Sequence, residues 1–369
     1  MISQPSHLLV KPATQNYFLG NNILFVHNWR TGGTSLHVLL KANILSRYIK
    51  IGDQFSRFGK TSNMKPLSTL AEVRKRLSPG SIVAGHLYAG VESLLPGAWD
   101  LWISAREPLA RLRSGLLRFH SRELPNFNTR SHNIIHSTPS LGSPESLRAV
   151  LSTTLLHENN GMARRLACLP LARSYAVNES SNLEKPEFLS DSYADNALYA
   201  TAMEQLKRIR VVFMADQLNA SILCLESCYD LPPIINPFVK LHCNRAKLVG
   251  YEPSHVECLD QSDDILRETQ KVDLALWPLL QARFKMQMKQ YSVNQDQIKA
   301  KELIHSSALF SPDWFQADSS LAQTVDMMAK AVYNRLKNHE HLSEHVINMV
   351  CDWPCLSQEL REVLRQKLA

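Results

Sequence analysis

The sequence predicts an α/β fold, a central parallel sheet with crossover helices on its faces, and three observations carry that prediction. Apolar runs of strand length recur through the first 230 residues, among them Ile23-Leu24-Phe25-Val26 and Val211-Val212-Phe213-Met214-Ala215. Between them lie segments with the 3.6-residue apolar period of helices. The alternation of the two is the pattern of strands joined by crossover helices. No stretch approaches the ~20 apolar residues that cross a bilayer. The first twenty residues lack a basic segment leading into an apolar one. The expectation is a cytoplasmic protein with neither membrane span nor secretory leader.

Each element has a local reason. Residues 23–27 form an apolar run that stops at Asn28-Trp29-Arg30-Thr31-Gly32-Gly33-Thr34, and a helix follows from Ser35 with Leu36, Leu39, Leu40 and Ile44 on one side. Residues 82–84 read as a second strand ending at Gly85-His86, and 101–105 as a third ending at Arg106. Pro108 suits the first position of the next helix, which carries Leu109, Leu112, Leu116 and Phe119. Residues 120–145 are rich in Ser, Asn, His and Pro and read as a long loop. Helices are expected at 146–157, 160–169 and 195–209, a strand at 210–215 and a helix at 217–228. Residues 263–291 are helical in pattern, with Pro278 expected to start or kink a turn, and further helices follow at 320–338, 341–350 and 357–368. The chain divides into a lead segment (1–19), a main domain (20–294) and a C-terminal helical extension (295–369).

Composition narrows the function. With 44% apolar and 20% charged residues, the chain is neither disordered nor fibrous. Its net charge of +7 is unevenly spread: residues 1–120 hold 15 Lys and Arg against 5 Asp and Glu. A basic N-terminal third points to an anionic ligand there or to a solvated basic face. The seven cysteines (168, 224, 228, 243, 258, 351, 355) include no CxxC pair and read as reduced and structural. His339, His341 and His345 are expected on a solvated helix face, and no metal is expected.

Two local features carry chemistry. In the strand–loop–helix 23–35, Gly32 and Gly33 let backbone N–H groups approach a ligand, and the helix N-terminus offers unsatisfied donors and a positive dipole end. Thr31, Thr34 and Ser35 add hydroxyls and Arg30 a permanent cation. This is a phosphate cradle without the GxxxxGK[ST] of an ATPase loop. In Arg106-Glu107-Pro108-Leu109-Ala110-Arg111-Leu112-Arg113-Ser114-Gly115, Arg106 ends a strand and Ser114 lies two turns into the helix. In open α/β sheets ligands bind beyond the carboxyl ends of the strands, and a guanidinium there can hold a second phosphate bidentately. Arg111, Arg113 and Arg118 are expected to be structural or solvent-facing.

Together these segments resemble the sulfotransferase superfamily, in the branch of heparan-sulfate 2-O- and 6-O-sulfotransferases and their bacterial relatives. Residues 25–35 are similar to its 5′-phosphosulfate loop FVHIPKTGGTS, and 106–114 to its 3′-phosphate motif RDPxxRxxS. Asn159 to Ala167 resembles DNxxxRxLA, and Gly85-His86-Leu87-Tyr88-Ala89-Gly90 resembles GHxxYG. The resemblance covers roughly residues 20–291 and implies a three-layer α/β/α, P-loop-NTPase-like fold. The activity it implies is sulfuryl transfer from 3′-phosphoadenosine-5′-phosphosulfate (PAPS) to a hydroxyl, or as second choice an amine. The product nucleotide is 3′-phosphoadenosine-5′-phosphate (PAP). By the same resemblance, Arg30, Thr31, Gly32, Gly33, Thr34 and Ser35 would hold the 5′-phosphate. Arg106 and Ser114 would hold the 3′-phosphate, and Asn160 and Arg164 would lie near nucleotide or acceptor. His86 would be the base, with His27 as the alternative, and Arg30 would also stabilise the leaving group. Asn244-Arg245 would close over the adenine.

The chain departs from the pattern at Trp29-Arg30, where the family has Pro-Lys, and at Glu107, where it has Asp. Arginine can stabilise a leaving anion but is a poor proton donor. The Trp29 ring is expected either to stack on the acceptor or to pack in the core. The acceptor implied by the resemblance is a carbohydrate, with a small metabolite or lipid as alternatives. The 120–145 loop, with its His and Arg residues, would suit a glycan groove. Three other readings compete: a nucleotide-dependent kinase, opposed by the missing loop lysine and by no evident Mg²⁺-binding Asp after a strand; a non-catalytic nucleotide-binding scaffold; and a nucleic-acid binder, opposed by the lack of a binding module.

Overall fold

The computed structural model describes residues 21–32, 36, 40, 48–50, 69–120, 141–153, 159–171, 193–231, 234 and 253–306, with isolated helical positions at 362 and 366. The expected helices at 320–338 and 341–350, almost all of that at 357–368, residues 121–140 of the expected loop, and Asn244-Arg245 lie outside them.

Five parallel strands form one sheet: β1 (Asn22–Val26), β2 (Tyr48–Lys50), β3 (Ile82–Gly85), β4 (Trp99–Ala105) and β5 (Ile209–Met214), in the order β2-β3-β1-β4-β5. Strand alternation sends Leu24, Val26, Val83, Ile103 and Val212 into one core cluster. It sends Ile23, Phe25, Ala84, Trp102 and Phe213 into another. Both faces are therefore covered, which is why the strands read as continuous apolar runs rather than alternating ones. The alternating strand-and-helix pattern is thus realised as an α/β protein with a parallel sheet.

The helices are α1 (Leu70–Arg76), α2 (Pro108–His120), α3 (Pro144–Thr153), α4 (Gly161–Leu171), α5 (Asp195–Arg208), α6 (Leu218–Cys228), α7 (Pro253–Gln261), α8 (Asp263–Thr269), α9 (Lys271–Gln290) and α10 (Gln295–Ser306). Residues of α4, α5 and α9 join the first cluster, and Leu36, Leu40 and α6 join the second. A third cluster joins α2, α3, α7 and α8. The start of α1 is a capping box, Thr69 accepting from the Glu72 N–H and Glu72 accepting from the Thr69 N–H.

Two details differ from expectation. Pro278 lies inside α9 without ending it; the break in the 263–291 segment falls instead at Gln270. The buried face of α9 (Val272, Leu276, Leu280, Phe284) outweighs the one helical bond a proline removes. The second is α10 itself, a helix at the start of the C-terminal extension and ahead of those expected from 320. Lys301 of α10, fully buried, forms an ion pair with Glu226 of α6, and Ile298 packs against the main core. The first helix of the extension is thus docked on the main domain.

Candidate functional site

The carboxyl ends of β3, β1, β4 and β5 lie side by side, so His86, the 27–32 loop, Arg106 and Asp216 follow neighbouring strands. The loop after β1 is fastened to β4 by a closed chain of hydrogen bonds. The Thr31 hydroxyl donates to the Asn28 carbonyl at 2.6 Å and lies 2.6 Å from the Ser104 hydroxyl, which accepts the Asn28 N–H at 3.1 Å. Since Thr31 has one proton to give, Ser104 donates to it, and each hydroxyl both gives and receives. Asn28 Nδ2 adds a bond to the Ser104 carbonyl at 2.5 Å. The Thr31 side chain is fully buried, so its hydroxyl serves the loop's own shape.

Arg30 and Gly32 both adopt positive φ, 62° and 73°. A Cβ at Gly32 would meet nothing within 4 Å, so open space adjoins the loop there. The Gly32 carbonyl accepts the Leu36 N–H at 3.1 Å, the first turn of the following helix. Gly33, Thr34 and Ser35 lie outside the described residues.

Trp29 and Arg30 both dock on α2. Arg30 donates through Nε and Nη2 to the Ser114 hydroxyl at 3.2 and 3.0 Å, across 84 residues of sequence. Next to it, the Trp29 ring fills the space over Gly115, where a Cβ would stand 2.5 Å from the ring. Trp29, partly buried, packs against the cluster that contains Leu112 and Leu116, as the core alternative expected for it has it. The Trp-Arg pair is thus matched to Ser114-Gly115 on the helix it faces.

Glu107 caps that helix. Its carboxylate accepts the Leu109 N–H at 3.1 Å and the Ala110 N–H at 2.6 Å. A glutamate meets this need as an aspartate would. Arg106, one residue earlier, has its Nε buried without a hydrogen-bond partner; the nearest anion is Asp216 Oδ1, 3.9 Å away. Asp216 stands just past β5 in a 3-10 turn. It is an acid after a strand that the sequence reading had not counted, and the apolar run 211–215 leading into it was the available signal. Among the described strands β5 pairs with β4 alone, which brings Asp216 beside Arg106 at the end of that strand.

His86 follows β3. Its Nδ1 lies 3.0 Å from the His27 carbonyl, and the two imidazoles stack with centroids 4.5 Å apart. A carbonyl only accepts, so Nδ1 is the protonated nitrogen in this contact, and Nε2 carries the lone pair whenever the ring is neutral. The His86 carbonyl accepts from Arg165 Nη1 at 2.8 Å, and Arg165 lies over the Tyr88 ring. The 86–89 turn is thereby tied to α4.

Asn160 and Arg164 sit at the start of α4. The Asn160 amide oxygen accepts the Val272 and Asp273 N–H groups at 2.8 and 3.3 Å, capping α9. In return the Asp273 carboxylate accepts the Met162 and Ala163 N–H groups at 2.9 and 2.8 Å, capping α4. Arg164 Nε donates to the Asn159 carbonyl at 2.8 Å. This reciprocal cap is visible only once the two helix ends meet, and it gives Asn160 a structural task beside the one expected of it.

Among the described residues, no group of three His, Cys, Asp or Glu side chains could hold a metal. His339, His341 and His345 lie outside them. Burial pushes the Cys224 thiol up to about 11. No helix among the described residues is long and apolar enough to cross a membrane. No protein-family model matches the chain, and no curated protein sequence matches it.

Proposed function

We propose that the protein transfers a sulfuryl group from PAPS to an acceptor hydroxyl, in first place that of a carbohydrate. The observation that carries the reading is the pair of Arg30–Ser114 bonds, which join the two anion-binding segments the sequence singled out. The residues present fit the nucleotide: open space adjoins Gly32, and Arg106 holds a buried donor without a hydrogen-bond partner. Backbone N–H groups of the loop, from Thr31 onward, would hold the 5′-phosphate, and Arg106 the 3′-phosphate.

When bound, the co-substrate supplies a sulfuryl group whose bond to a 5′-phosphate oxygen breaks as a bond to the acceptor oxygen forms. Catalysis of such in-line transfer rests on positioning and charge. His86 Nε2 takes the acceptor proton, its tautomer set by the His27 carbonyl. A positioned base of this kind is worth roughly 10²–10⁴-fold. Arg30, steadied by Ser114, would offset the charge left on the nucleotide. The Asn28–Thr31–Ser104 chain holds the loop backbone in place before ligand arrives.

Calorimetric titration with PAP, adenosine 5′-monophosphate and ATP–Mg²⁺ tests the reading. PAP is expected to bind far more tightly than the monophosphate. His86→Ala is expected to leave PAP affinity unchanged while turnover of labelled PAPS falls ~10²-fold or more. Preference for ATP–Mg²⁺, or binding of none, overturns it.

A further inference from the structure

Arg106 and Asp216 form an unusual pair. Their separation of 3.9 Å balances charge but is too long for a hydrogen bond, so the buried Nε–H remains unused. The two side chains differ in exposure, 30% for Arg106 and 63% for Asp216. The guanidinium is therefore held in place at the end of β4, while the carboxylate lies largely in water and can rotate away at little cost. An anion that reaches Nε at the 2.7–2.9 Å typical of charge-assisted bonds would satisfy the donor that Asp216 does not. A doubly charged phosphate monoester is better equipped than a carboxylate to make that exchange, since it brings more charge and three acceptor oxygens.

We propose that Asp216 is the resident counter-ion of an anion site at Arg106, displaced by a phosphate monoester, and that it sets how tightly that phosphate is held. The inference rests on the sulfotransferase reading, in which this phosphate is the 3′-group of the nucleotide. Asp216 keeps the guanidinium paired when no phosphate is bound, and it lowers the affinity for any anion too weakly charged to replace it. Its effect is confined to the ligand group that meets Arg106; the 5′-phosphate, held at the β1 loop, is insensitive to it.

The test is titration of wild type, Asp216→Asn and Asp216→Ala with PAP and with adenosine 5′-monophosphate at fixed ionic strength. Removing a unit charge about 4 Å from the guanidinium, in a pair partly screened by water, predicts roughly two- to fivefold tightening of PAP. Monophosphate affinity is expected to stay within about twofold. Unchanged or weaker PAP binding in both variants overturns the counter-ion role, as does equal tightening of both nucleotides, which would mark a long-range field. Wild-type protein that fails to prefer PAP over the monophosphate overturns the sulfotransferase reading itself, and the inference with it.

Discussion

Two arginine–aspartate pairs, anchored only five residues apart in sequence, have opposite designs. Arg111 and Asp273 are both fully buried, 3.5 Å apart, with Arg111 also donating to Gln270 Oε1 at 2.7 Å. Both Asp273 oxygens accept backbone N–H groups from the first turn of α4, so the carboxylate has nowhere else to go. Arg106 and Asp216 are instead 30% and 63% exposed and stand 3.9 Å apart. The comparison teaches what separates a structural arginine from one that could exchange its partner for a ligand, as the proposed function requires of Arg106. The first has an anion whose remaining lone pairs are filled by the fold; the second has an anion that can leave.

The largest effect expected from breaking this contrast is on stability. Asp273→Ala removes the acceptor for two helix-terminal amides and strands Arg111 in the core, which costs roughly 3–5 kcal/mol. Urea unfolding should show it as a lowered midpoint, with Asp273→Asn, which can still accept an amide bond, less damaging. A loss below ~1 kcal/mol for Asp273→Ala would mean that Arg111 finds other partners in the fold.

Arg106→Ala sharpens the comparison from the other side. Because its partner is exposed, unfolding free energy should change by no more than ~0.5 kcal/mol. Affinity for PAP, in contrast, should fall about tenfold to a hundredfold, the worth of a hydrogen bond to a charged group. A variant that loses stability and binding together would place Arg106 in the same class as Arg111.

The sequence let some of this be read and hid the rest for definite reasons. β1, β3, β4 and β5 were legible because strands buried on both faces must be continuously apolar, as Ile23 to Val26 and Val211 to Met214 are. β2 was not, since three residues, Tyr48-Ile49-Lys50, give no pattern. Nor was α1 noticed, although Thr69 and Glu72 spell a capping box. Gly32, Arg30, Arg106 and Ser114 stood out because glycine, hydroxyl and guanidinium close together in sequence form the local pattern expected of a phosphate cradle. What stayed hidden is non-local. The Asn160–Asp273 exchange of caps joins residues more than a hundred positions apart, and Asp216 acquires meaning only because β5 pairs with β4. The Thr31 hydroxyl looked free for a ligand for the same reason: its partner Ser104 lies on another strand.

A third arginine, on the helix that carries Arg111, falls between the two. Arg113 bonds Asp260 at 2.5 Å and Asp263 at 2.6 Å, with Arg267 also reaching Asp263 at 3.2 Å. The geometry is closer than in either other pair, yet the Asp263 side chain is 42% exposed, so water screens most of the attraction. The Arg113 hydrogen bond holds the Asp263 carboxyl below the usual carboxylate range. A depressed carboxylate contributes stability that is present above its unfolded pKa, ~3.9, and is lost as pH falls through the lower folded value. Asp263→Asn should therefore cost under ~1 kcal/mol near pH 7, less in high salt, and progressively less as the pH drops below ~4. Thermal unfolding of the variant and the parent across that range is the measurement. A gap that persists at acid pH, where the parent carboxyl is neutral as well, would assign the contact to packing. Short distance alone would then rank these three arginines in the wrong order, and burial of the partner in the right one.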